Sequence, residues 1–338
     1  MNSPSYKLLD WIPIDFINWT GMSINPNGEE LLRKNYKFIN YFNLAFRNDY
    51  FSYELLTLNK NIVKSVQLFY LSKNPFAVNY LMKNIDLICW YYLSYNSNPK
   101  ILELFKNDNY KDKIIWTNLS SNTNPEILEF LFEHPDKINW CQLSSNECDY
   151  AIQYLKKNQK EINWLNLSKN SNDNAIDLLL ENKDKIIWYN LSMNTNDRAI
   201  DLLFTRPELI NMYSIVYNTN NKAMKFLKKN KNKITNWSGL CYNENDIAID
   251  LILENPEKID FINLCYNKNP RILNILKENI DRICWYTFSS NPLIFKLDYQ
   301  KMSDKFINLK EDLIKEVMHP LRVFKNPDYD YIEELFDY

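Results

Sequence analysis

The chain has 338 residues, of which only 3 are glycine and 50 are asparagine. Average usage is about 7% Gly, and the deficit excludes G-x-G-x-x-G loops, Walker loops and G-x-S-x-G elbows, all of which need clustered glycines. The 40 basic and 42 acidic residues leave a formal charge of −2, no global reason to expect nucleic acid or an anionic membrane.

From the N-terminus, the stretch up to Phe16 lacks the charged start and apolar run of a secretory signal. No apolar run reaches the roughly 18 residues of a spanning helix. The expectation is an intracellular chain, neither secreted nor membrane-bound. The cysteines Cys89, Cys141, Cys148, Cys241, Cys265 and Cys284 form no C-x-x-C pair. They read as small hydrophobes in a reducing compartment.

A repeat then runs through most of the chain. Its first position is held by Trp19, Tyr41, Leu68, Trp90, Trp116, Trp140, Trp164, Trp188, Met212, Trp237, Phe261 and Trp285, at spacings of 22 to 27 residues. These twelve registers share the pattern W-x-x-L-S-x-N-x-N-x-x-A-I-x-x-L-x-x-N-x-x-K-I-x. The residue three after the aromatic is apolar throughout, and the next is small except at Val216. Cys241 and Cys265 take that small position, which points to packing and away from metal binding.

Each part of the pattern predicts an element. W-x-x-L-S suits a short α turn or a 3₁₀ turn. The run Ala175 to Asn182 carries the i, i+3, i+4 apolar spacing of a helix with one buried stripe. Asn124-Pro125-Glu126 signposts its start, and Asn172, Asn196, Asn220, Asn245 and Asn269 fall on the same N-cap position. The Asn six places after the aromatic, replaced only by Arg47, stands where a short turn reverses. It is expected to adopt positive φ in place of glycine and to stack into a ladder.

One such unit cannot bury both its Trp and its helix stripe, and stacked neighbours can. The fold expected is all-α: an α-solenoid of about twelve 24-residue rungs, right- or left-handed, with an arc on the order of 100 Å at 8–10 Å per packed helix. Residues 1–295 form the repeat region. Residues 296–338 are expected to be a helical cap over the last rung, followed by the acidic, aromatic tail PDYDYIEELFDY.

The rhythm of Asn122, Asn124, Pro125 and Leu128 resembles the leucine-rich repeat variant family, whose 24-residue units alternate an α-helix with a 3₁₀-helix. A closer resemblance is to the Asn-rich repeat proteins of giant DNA viruses of amoebae. It is carried by Asp136-Lys137-Ile138-Asn139-Trp140 and by Leu167-Ser168-Lys169-Asn170. The ending is also similar, with Phe295, Asp298, Tyr299, Lys310 to Ile314, Met318, His319, Pro320 and Arg322. This resemblance implies a viral protein, in host cytoplasm or virion, and a repeat fold more than an activity.

No residue is read as catalytic, and no metal or cofactor is expected. His134 replaces Asn near a helix end and reads as a capping group; His319, before Pro320, reads as a helix boundary. The position five after the aromatic carries Tyr95, Tyr217, Tyr242 and Tyr266. The last three fall in successive rungs, an expected ladder at steps of about 10 Å, read either as a protein-binding face or as inter-rung packing. Lys222, Lys225, Lys228, Lys229, Lys231 and Lys233 form a basic cluster, read as a solvated face in preference to a phosphate-binding one. The sequence thus points to a non-enzymatic scaffold for an unidentified protein partner. A structural virion component is the alternative, and a nucleic-acid-binding solenoid is disfavoured by charge.

Overall fold

The computed structural model describes residues 4–58 and 67–317. Two units are distinct: Pro13–Leu293, which holds the repeats, and a smaller one that joins the N-terminal stretch up to Ile12 with the chain from Ile294 on. Helices dominate. The smaller unit contains two three-residue strands, β1 (Tyr6–Leu8) and β2 (Phe295–Leu297), paired antiparallel with Lys7 opposite Lys296. The sequence reading does not anticipate them. A helix follows over Tyr299–Val317. His319 and the acidic tail lie outside the described residues.

In the repeat unit, one copy shows the pattern. A short helix spans Trp164–Lys169, a longer one Asp173–Glu181, and a 3₁₀ turn Lys183–Lys185. Leu167, Ser168, Ala175, Ile176, Leu178 and Leu179 are fully buried, so the predicted stripe is the core. Asn172 caps the longer helix as expected, its Oδ1 accepting from Asn174 N at 2.8 Å. At the other end Asn182 donates back to Leu178 O at 2.9 Å. His134 closes its helix in the same way, with Nδ1 3.0 Å from Phe130 O.

The Asn six places after the aromatic departs from expectation. No non-glycine residue has positive φ among the described residues. Asn170 is extended, at φ −69° and ψ 121°. It is buried, and its amide does what a glycine could not. Nδ2 donates to Ser144 O at 3.1 Å and Asn146 O at 3.0 Å in the preceding copy, while Oδ1 accepts from Asn172 N at 3.0 Å. The ladder half of the expectation therefore holds, and the backbone half does not. Asn194, Asn218, Asn243, Asn267 and Asn291 repeat the arrangement, each donating to the copy before it. Where Arg47 replaces Asn, its guanidinium takes over the role, with Nη1 donating to Asn25 O at 2.6 Å. Arg47 also pairs with Asp49. Burial tends to raise the Asp49 pKa, but Arg47 and the Ser52 N–H outweigh it and hold the carboxyl below its ordinary value.

The Ser four places after the aromatic makes a second ladder. Ser168 Oγ accepts from Ile187 N at 3.0 Å, just ahead of the next repeat aromatic, and donates to Trp164 O at 2.7 Å. In one copy the order is changed: Val216 occupies this position and the serine is Ser214. Ser214 Oγ is buried with no hydrogen-bond partner. An unsatisfied buried hydroxyl costs about 1–3 kcal/mol. Ser214→Ala is therefore expected to be neutral or to stabilise by up to about 1 kcal/mol in urea unfolding; a clear loss of stability would mean that the hydroxyl is bonded.

The repeat aromatics also correct the sequence reading. They are half-buried, with only Phe261 in the core. An indole is seldom fully enclosed, and in several copies its outer face is covered by a cation from the 3₁₀ turn at the end of the same copy. Lys185 Nζ lies 4.8 Å from the Trp164 ring centre, Lys258 Nζ 4.3 Å from Trp237, and Arg282 Cζ 3.9 Å from Phe261. That contact explains the conserved spacing of the pattern's Lys within this chain.

The first and last copies, expected at opposite ends of an arc, touch. Asn18 N donates to Ser289 Oγ at 2.9 Å. Asn25 Nδ2 donates to Ser289 O at 2.9 Å and Asn291 O at 2.8 Å. Phe16 covers Trp285 at 5.1 Å, in the place that a cation takes elsewhere. Asn170 makes the same pair of bonds to Ser144 O and Asn146 O, so the hydrogen-bond ladder meets its own start. The edge left for a terminal cap by the sequence reading is met by the first repeat. Between short helices one Asn amide bridges directly to backbone. Between long helices two long side chains meet end to end, as in Arg271–Asp250 at 2.8 Å and Lys222–Asp201 at 2.7 Å.

Candidate interaction surface

On a helix, residues four apart share a face. The positions one and five after the repeat aromatic therefore lie together on the open side of each short helix. Tyr217, Tyr242 and Tyr266 are all exposed there. The Tyr242 and Tyr266 rings are 6.2 Å apart, closer than the expected step because they lean across it. Tyr217 lies over Gly239, with its Cζ 2.7 Å from where a Cβ on that glycine would sit. Tyr95 is half-buried, against Tyr91 at 5.8 Å and beneath Lys73 Nζ at 5.6 Å. Burial, helped by a hydrogen bond with Tyr91, raises its phenol pKa. The structure thus brings Tyr242 and Tyr266 into ring contact and sets Tyr95 in a separate cluster.

Sequence reasoning missed the position directly after the aromatic. Tyr91, Leu165, Tyr189, Tyr213, Ile262 and Tyr286 occupy it, and all are exposed. The signal was present, since the residue after the aromatic is itself aromatic in several copies. Together the two positions make an apolar, hydroxyl-bearing face. Residues at position two join it where Phe46 meets Tyr70 at 4.2 Å and Tyr70 meets Tyr92 at 4.7 Å. These rings, with Ala45, Asn48 and Lys73, line a recess of about 210 Å³. A hydrogen bond with Tyr70 pushes the Tyr92 phenol up to about 12.

The other candidate groups are placed differently. In the basic cluster, Lys222 pairs with Asp201, Lys228 with Asp250 at 3.5 Å and Lys231 with Glu254 at 2.9 Å. Neighbouring copies thus pair half of the cluster with carboxylates. His134 stacks on Trp116 at 4.8 Å, beside a recess of about 740 Å³ that also carries Lys106, Lys111, Asp112, Glu133 and Lys137. No group of three or more His, Cys, Asp or Glu able to hold a metal occurs among the described residues. Likewise no helix among them is long and apolar enough to cross a membrane.

Cys241 and Cys265 stand where other copies have Ser. Cys241 Sγ accepts from Asp260 N at 3.3 Å, so the thiol stands in for the hydroxyl. Burial pushes Cys241 up to about 11 and Cys265 up to about 12. Both remain protonated and unreactive at neutral pH. An alkylating reagent on the folded protein is expected to label exposed Cys141 and spare Cys241 and Cys265, as read by peptide mass spectrometry. Equal labelling of all three would contradict the packing role. No family model, curated protein or solved structure matches the chain.

Proposed function

We propose that the twelve registers form an α-solenoid closed on itself, and that it acts as a non-enzymatic scaffold for protein–protein interaction in a virus-infected cell. Support for the closed solenoid comes from the ladder that returns from Asn291 to Asn25. The viral setting rests on the resemblance of the repeat string and the chain ending to Asn-rich giant-virus proteins. The observation that carries the interaction reading is the exposed aromatic face at Tyr217, Tyr242 and Tyr266. Tyrosines offer large contact area at low entropic cost and are enriched among binding hot spots.

The test joins two measurements. Affinity purification from infected cells, with mass spectrometry, identifies the partner. The Tyr217→Ala/Tyr242→Ala/Tyr266→Ala variant is then compared with the parent chain. The expected result is loss of partner binding at nearly unchanged thermal stability. Loss of stability with partner affinity retained would make these rings packing groups and end the reading.

A further inference from the structure

The contact between the first and last repeats is built from both ends of the repeat region. Copy twelve has its short helix, Trp285–Ser290, but the chain leaves for β2 where a long helix would begin. The 3₁₀ turn before Trp19, Ile14–Phe16, supplies a cover for Trp285 of the kind that Trp164, Trp237 and Phe261 take from residues following their own long helices. The two faces of this seam differ in kind. The first repeat brings donors: Asn18 N, Asn25 Nδ2 and Asn27 Nδ2. The last brings acceptors: Ser289 Oγ, Ser289 O, Asn291 O and Pro292 O. Neither face can pair with its own kind, so the pairing is head to tail.

We propose that this seam is exchangeable, and that the partner it fits is a second copy of this chain. Once the seam opens, the first repeat of one chain seats on the last repeat of another, and the reverse. Such a closed pair remakes every seam bond twice and leaves no free edge, as domain-swapped assemblies do. The β1–β2 pair ties together the stretches of chain that lead into and out of the repeats. It raises the effective concentration of one edge at the other, so closure within a single chain wins when protein is dilute. The inference rests on the seam alone and is independent of the tyrosine face.

The experiment unfolds the full chain in urea and refolds it at micromolar and at near-millimolar concentration, followed by size exclusion with light scattering. Dilute refolding is expected to give the 40.7 kDa monomer. Concentrated refolding should add a species of twice that mass, which returns to monomer only after renewed unfolding. Tagged and untagged chains refolded together should form mixed pairs. Asn25→Ala/Asn27→Ala, which removes the seam donors, should lower the paired fraction several-fold. Asn170→Ala/Asn172→Ala, an equal loss at an internal step, should not. Monomer at every concentration overturns the proposal, as does a pair whose yield ignores the seam substitutions.

Discussion

Asn170→Ala is expected to destabilise the protein by roughly 3–5 kcal/mol, far more than a single polar substitution usually costs. Its amide serves three buried backbone groups: Ser144 O, Asn146 O and Asn172 N. Truncation strands all three, and each unsatisfied group costs about 1–3 kcal/mol. Asn170→Asp should be worse, because it keeps the shape but turns an oxygen toward two carbonyls. Asn232, exposed on a 3₁₀ turn, is the control, and Asn232→Ala should change stability by less than about 0.5 kcal/mol. Urea unfolding reads all three variants. A cost for Asn170→Ala no larger than that of the control would show that the ladder does not hold the repeats together.

The second large effect is expected at the seam. A Cβ on Gly21 would lie 2.1 Å from Tyr286 O and 3.2 Å from Tyr286 C. Both are backbone atoms, which cannot turn aside. Elsewhere the residue at this position is often Asn, whose Nδ2 reaches the equivalent carbonyl, as Asn190 reaches Leu165 O at 2.8 Å. At the seam the chains come too close for any side chain. Gly21→Ala is therefore expected to cost roughly 2–3 kcal/mol and to raise amide exchange at Asn18 and Met22. Gly239 holds the same position in another copy, but there a Cβ would meet side chains, Tyr217 Cζ at 2.7 Å and Val216 Cγ2 at 2.9 Å. Those can shift, so Gly239→Ala should cost only about 1 kcal/mol. If exchange at Asn18 and Met22 matched the parent in Gly21→Ala, the first and last repeats would not be joined in solution.

The legible part of this molecule is what repeats. Helix starts at Asn124, Asn172, Asn196, Asn220 and Asn245 could be placed because a cap residue and an apolar stripe stand at fixed separation in those copies; at Asn269 the α-helix begins only at Ile272, although Asn269 Oδ1 accepts from Arg271 N at 2.9 Å. The role of the Asn at six was only half legible. An amide that donates across a step and a residue that relieves a turn leave the same letter in the sequence. The tryptophans were misjudged because hydrophobicity argues for burial and says nothing of the cation that will cover the ring. Closure was least legible of all. It rests on contacts between residues 264 to 271 apart in the chain, which no local pattern encodes. Phe16 and Gly21 take part in it, and both look ordinary until Trp285 and Tyr286 are seen beside them. Of the interaction face, the tyrosines at five were found and the aromatics at one were not, since a residue adjacent to a landmark is easily taken as part of it.

The returning ladder has a consequence for how such a chain can change over generations. Tandem repeats ordinarily gain and lose whole units, and an open stack tolerates this because each unit meets only its neighbours. Here the last unit must also meet the first. Duplicating or deleting one 24-residue segment would carry Asn25 away from Ser289 and leave both edges bare. In the closed stack proposed above the copy number is thereby held, while substitutions within a copy remain free wherever a bridge to the preceding copy is kept. The differences among copies, Arg47 for Asn, Cys241 for Ser and Val216 for Ser, show where this chain has used that freedom.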